Sequence, residues 1–115
     1  MTDFKSVIYE RQNLDGGIVA KARGEIDLIR SPQLRTELMQ MLDKGVARLV
    51  IDLTEVPFMD SSGVATLVEA LQVQRKKGNK LVLCNMQQKV RSIFEIARLD
   101  MVFTISTDLQ TAVQA

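Results

Sequence analysis

Histidine and tryptophan are both absent from this 115-residue chain, and cysteine occurs once. Without histidine the commonest general base at neutral pH is missing, and most zinc sites are excluded with it. The lone cysteine, Cys84 in "KLVLCN", permits neither an internal disulfide nor a paired-cysteine metal site, and a single thiol in an apolar run reads as buried filler. Lys and Arg number 15 against 14 Asp and Glu, a formal charge of +1. No basic excess exists to attract phosphate backbones, so nucleic acid is not an expected partner. No window approaches the roughly 18 apolar residues that span a bilayer, and "MTDFKSVIYE" lacks the pattern of a signal peptide. The expectation is a cytoplasmic protein with no membrane partner. No phosphate-binding glycine loop is present, so the chain is not expected to bind ATP or phosphorylate itself. No cofactor or metal is expected.

What is present is a hydrophobic fraction of 46%, enough for one packed core. Residues 1–115 read as a single domain without repeat or linker. "SVIYERQ" and "GIVAKARGEI", separated by "NLDGG", predict an opening hairpin. "SPQLRTELMQMLDKG" predicts a helix capped by Ser31, with Pro32 in its first turn and Gly45 as a left-handed stop. Leu34, Leu38, Met41 and Leu42 share one face. "ARLVIDL" and "KLVLCN" are continuous apolar runs of the kind found in strands covered on both sides. Between them Val64, Leu67, Val68 and Leu71 recur at helical spacing up to Gly78, which implies a parallel crossover. "QQKVRSIFEIARLD" predicts a third helix packing Val90, Ile93, Phe94 and Ala97. "MVFTIS" predicts a strand, and "TDLQTAV" a last helix with Thr107 and Gln110 as a capping box. The expected fold is α/β, with a mixed sheet opening on an antiparallel hairpin and about four helices.

The candidate site is "PFMDSSGVATLVEA", residues 57–70. A connection from the carboxyl end of a parallel strand into a helix is where open α/β sheets tend to place function. The plain alternative is that Asp60, Ser61 or Ser62 merely satisfies the free amides of the helix. One cap needs one side chain, however, and three capping-type residues stand in a row with Gly63 beside them. A surplus hydroxyl is therefore expected at the surface, and the residues alone do not say which serine carries it. A nucleophilic role would require a base and an oxyanion site, yet histidine is absent and no strand-turn-helix nucleophile motif surrounds Ser61. Catalysis is not expected.

"VIDLTEVPFMDSSGVATLVEA", residues 50–70, resembles the phosphorylation-loop segment of bacterial anti-sigma factor antagonists, which are single STAS domains. "GEIDL" at 24–28 is similar to a second segment of that family, and the later segments follow in the same order over essentially the whole chain. The resemblance implies a STAS-like fold and a function in which the unphosphorylated form binds an anti-sigma factor with serine-kinase activity, freeing a sigma factor. It implies Ser61 as the phosphate acceptor and Ser62 as the residue that closes the helix. Asp60 would set the loop geometry, and Asp27 would join Asp60, Ser61, Ser62 and Gly63 in the partner-binding surface. Glu25 and Asp27 also read as solvated residues at a strand end. A phosphoserine phosphatase would be a second partner. The competing reading is a constitutive STAS interaction subunit of a transporter or stress-signalling complex, without phosphate control. A small serine hydrolase is a third reading, and labelling by serine-directed acylating probes would reveal it.

Overall fold

The computed structural model describes residues 6–115. Two strands, β1 (Ile8–Leu14) and β2 (Gly17–Arg23), form the expected antiparallel hairpin around Asp15 and Gly16. The chain continues through α1 (Ser31–Asp43), β3 (Arg48–Glu55), α2 (Ser61–Lys76), β4 (Lys80–Cys84) and α3 (Gln88–Ile96). A single 3-10 turn, Leu99–Met101, then leads to β5 (Thr104–Ser106) and α4 (Leu109–Ala112). The five strands lie in sequence order, with β2, β3, β4 and β5 parallel to their neighbours and β1 antiparallel at one edge. No helix among the described residues is long and apolar enough to cross a membrane.

The apolar run of β3 follows from cover on both faces. Leu49, Ile51 and Leu53 enter the main core with Leu34, Leu38 and Leu42 of α1 and Leu67 and Leu71 of α2. Val50 points the other way and packs with Val19, Val82, Cys84 and Ala112 of α4. Period-two alternation of Cβ directions thus gives the apolar residues on both faces of the run apolar partners. Each fully buried leucine contributes about 1.5–3 kcal/mol relative to exposure. The Cys84 thiol, pushed up to about 12 chiefly by burial and secondarily by the charges of Asp52 and Asp108, stays protonated and inert.

Two buried polar side chains fix the helices to the sheet. Glu37, on the inner face of α1, accepts the N–H groups of Val7 and Ile8 at 3.1 and 2.7 Å and so anchors the start of β1. Gln74, fully buried on α2, donates from Nε2 to the carbonyls of Val46 and Lys80, each at 2.8 Å. Gly45 and Gly78 end α1 and α2 with φ of +79° and +72°, a region that favours glycine.

Several local expectations are corrected. Ser31 does not cap α1: it is the first helical residue, and the turn before it is closed by Asp27, whose Oδ1 accepts the N–H groups of Ile29 and Arg30 at 3.1 and 3.0 Å. Thr107 does not cap α4, because Asp108 accepts the Thr111 N–H at 2.7 Å. Only Thr104–Ser106 of "MVFTIS" is strand, since the 3-10 turn takes up Met101 and places Phe103 edge-on against Phe94, ring centroids 5.4 Å apart. Ala97 lies exposed at the end of α3, while Val90 and Phe94 are buried.

Candidate functional site

Beyond their paired portions, β2 and β3 keep running side by side. The Gly24 N–H donates to the Glu55 carbonyl at 2.9 Å, and the Ile26 N–H to the Phe58 carbonyl at 3.0 Å. The Asp60 N–H returns to the Ile26 carbonyl at 3.1 Å, making a short parallel bridge between Ile26 and Met59. Both of these side chains are fully buried, so the bridge is pinned from beneath. Residues 24–28 and the opening of the 57–70 segment, both singled out above, are thereby brought into one surface.

Asp60 is the cap of α2. Its backbone is extended, and its Oδ1 accepts the Ser62 and Gly63 N–H groups at 2.9 and 3.3 Å. The same oxygen accepts the Ser62 hydroxyl at 2.5 Å, while Oδ2 accepts the Leu28 N–H at 3.0 Å. The carboxyl is held below the usual aspartate range, first by the Ser62 hydroxyl and then by the Gly63, Ser62 and Leu28 amides, against an opposing push from partial burial. Asp60 is ionised at neutral pH.

These contacts correct the expectation that Ser62 closes the helix. Ser62 is half-buried and its hydroxyl is directed onto the cap, while its carbonyl accepts the Thr66 hydroxyl at 3.0 Å. Ser61, the first residue of α2, is exposed and its hydroxyl has no hydrogen-bond partner among the described residues. An aspartate outcompetes a neighbouring serine here because its charge complements the positive end of the helix and its second oxygen reaches another segment. The surplus hydroxyl therefore falls to Ser61.

Gly63 is buried in the seam between the two segments, where a side chain has no room. Asp27 is half-buried with Oδ1 turned onto its own turn, and Glu25 is exposed. The carbonyl of Glu25 accepts Nη1 of Arg30 at 2.6 Å, which braces the turn into α1.

Sequence reasoning missed the apolar part of this surface. Leu28 and Ile29 are 73% and 85% exposed, and Phe58 is 41% exposed. Leu28 is tied through its amide to Asp60, and Phe58 lies two residues before that cap, so exposed apolar residues belong to both of the segments that meet at the start of α2. The only available signal was that the pair Leu28–Ile29 fits neither the hairpin alternation nor the stripe of α1. On the outer side of α1 and α2, Arg35 and Glu69 form a bidentate pair at 2.8 and 2.7 Å.

The family model described as STAS domain matches residues 7–112. An anti-sigma-B factor antagonist of Bacillus subtilis is 33% identical over 104 residues, covering 90% of this chain and 94% of that protein. A protein of the same description from Listeria monocytogenes is 35% identical over 83 residues, covering 71% and 72%. Among solved structures, an anti-sigma factor antagonist from Mycobacterium paratuberculosis superposes with a TM-score of 0.86 at 24% identity, covering 96% of this chain and 93% of that one. The phosphorylated form of the Bacillus cell fate determinant SpoIIAA gives a TM-score of 0.69 at 20% identity, covering 91% and 96%.

Proposed function

We propose that this chain, which belongs to the STAS domain family, is an anti-sigma factor antagonist whose grip on its partner is switched by phosphorylation of Ser61. In the unphosphorylated form it binds an anti-sigma factor with serine-kinase activity and so releases a sigma factor. That partner phosphorylates Ser61 and is thereby lost, and a phosphoserine phosphatase restores the binding form. The chain is a substrate and a binding protein, with the chemistry supplied by its partner.

The observation that carries this reading is the free hydroxyl of Ser61 next to a fully engaged Asp60 and Ser62, on a surface with exposed Leu28, Ile29 and Phe58. A kinase needs an accessible acceptor, whereas a side chain already capping a helix would have to be pulled away from it. The apolar residues provide contact area that becomes favourable when a partner covers it. Asp60 and Gly63 hold the turn that presents Ser61. Asp27 holds the turn that presents Leu28 and Ile29, and Ser62 fixes the Asp60 carboxylate.

A phosphate adds a charge of about −1.5 to −2 and three acceptor oxygens, which the amino end of α2 accommodates without unfolding. At a covered interface the same group is bulky, is costly to desolvate and repels the ionised Asp60. A loss of only about 3 kcal/mol weakens association more than a hundredfold. The decisive experiment incubates the chain with a purified anti-sigma factor kinase from the same genome and ATP, and maps phosphate by mass spectrometry. One phosphate on Ser61, absent from Ser61→Ala, is the expected result. Equal labelling of the wild type and that variant refutes the assignment.

A further inference from the structure

Asp60 uses its two carboxylate oxygens in different directions. Oδ1 serves the first turn of α2, taking the Ser62 and Gly63 amides and the Ser62 hydroxyl. Oδ2 takes the amide of Leu28, a residue 32 positions earlier in the chain. A cap needs only the first of these. The second falls where the main-chain bridge between the segments ends, because Asp60 N–H to Ile26 carbonyl is its last bond. The side chain of Asp60 carries the connection onward from Ile26 to Leu28.

The segment held in this way has few other ties. Leu28 and Ile29 project into solvent at 73% and 85% exposure, so core packing does not set their direction. Their amides do: Ile29 N–H is held by Asp27 of the same turn, and Leu28 N–H by Asp60. Among the hydrogen bonds of the described residues, the Leu28 bond is the one that ties an amide of this turn directly to the residue before Ser61.

Resting on the reading that Leu28, Ile29 and Ser61 belong to one docking surface, we propose that Asp60 is a positioning residue for its apolar half. It holds the Leu28–Ile29 turn at a fixed offset from Ser61, so that a partner meets both as one preformed surface. Preformed contacts spare the partner the ordering cost of a mobile turn, and that saving appears as affinity. Asp60 thus acts on binding through Leu28, in addition to closing the helix.

Two substitutions separate these jobs. In Asp60→Asn one carbonyl oxygen remains for the α2 amides, and an NH2 group facing Leu28 N–H cannot accept from it. In Asp60→Ser a short side chain still caps α2 and does not reach Leu28. In the free full-length chain, both variants should speed hydrogen exchange at the Leu28 amide by about tenfold or more, measured by NMR, with the Ser62 and Gly63 amides still protected. Against a purified anti-sigma factor serine kinase from the same genome, both should bind about tenfold more weakly. In a Leu28→Ala, Ile29→Ala background the same substitutions should cost less than about twofold, because the groups they position are gone. Unchanged Leu28 exchange in both variants overturns the proposal. So does a full tenfold loss in the truncated background, which would place Asp60 in direct contact with the partner. If the wild type binds no such kinase, the proposed function fails, and the exchange measurement alone decides whether Asp60 holds Leu28.

Discussion

Gly63 lies so close to Ile26 that a Cβ added to it would stand 2.8 Å from Ile26 Cγ2 and 2.9 Å from the Ile26 carbonyl oxygen. The carbonyl is the less forgiving neighbour, since it already accepts the Asp60 N–H and cannot move without breaking that bond. Gly63→Ala should therefore destabilise the domain by about 1–3 kcal/mol through overpacking. At 115 residues that lowers the melting temperature by several degrees, on the order of 4 °C per kcal/mol. Thermal denaturation followed by circular dichroism checks it, and an unchanged midpoint contradicts the close approach.

The two adjacent serines should respond differently to truncation. Ser61 is exposed and unpartnered among the described residues, so Ser61→Ala should change stability by no more than about 0.5 kcal/mol. Ser62 donates to an ionised carboxylate, and Ser62→Ala should cost about 1.5–3 kcal/mol. Chemical denaturation of the two variants tests the order. A larger loss for Ser61→Ala would return the free hydroxyl to Ser62.

That inversion shows what the amino-acid pattern conveys. Strands and helices were legible because long elements repeat their apolar positions, as β3 does toward two faces and α1 toward one. Caps were not, because each depends on one side chain among neighbours of the same chemical type. Asp60 displaced Ser62, Asp108 displaced Thr107, and Asp27 closed the turn assigned to Ser31, an aspartate in every case. Leu28 and Ile29 were illegible for a different reason. An isolated apolar pair has no period, and its exposure is apparent only once residues 24–28 are seen to run beside 57–60.

Acid should unfold the domain along a predictable limb. Asp60, Glu69 and Asp108 are each held below their ordinary values, by the Ser62 hydroxyl, the Arg35 guanidinium and the Thr111 amide respectively. A group with a depressed folded-state pKa stabilises above its unfolded value and loses that contribution as pH falls through the folded one. The melting temperature should thus begin to fall below about pH 4 and keep falling toward pH 2. With no histidine, little should change between about pH 5 and 7. Asp60→Asn should make the acid limb shallower, and an equally steep limb in that variant contradicts the environment described for Asp60.

Ile29 projects from its turn at 85% exposure, so its side chain contributes little to the folded core. Ile29→Asp should leave the stability of the fold within about 1 kcal/mol of the wild type, while weakening capture of an anti-sigma factor kinase by about a hundredfold. Calorimetric titration with the purified kinase measures this. Full affinity in Ile29→Asp would remove the apolar turn from the docking surface.

Among the substitutions considered, the heaviest loss of stability should come from a residue remote in sequence from Ser61. Glu37 is 5% exposed, and its Oε1 receives two backbone amides, those of Val7 and Ile8, where the chain enters β1. Removing it strands two buried donors, each at a cost of about 1–3 kcal/mol, so Glu37→Ala should lose roughly 3–5 kcal/mol. Glu37→Gln keeps a carbonyl oxygen for both amides and can turn its NH2 group outward. It must, however, give up the bond from Gln33 Nε2, now 2.9 Å from Oε2, because an NH2 group cannot accept it. The glutamine variant should therefore fall between wild type and alanine and lie nearer the wild type. Hydrogen exchange at Val7 and Ile8 reports on the same bonds directly, fast in the alanine variant and slow in the glutamine one. If the two variants are equally unstable, the charge of Glu37 rather than its acceptor oxygen holds the strand, and the anchoring role described for it is wrong.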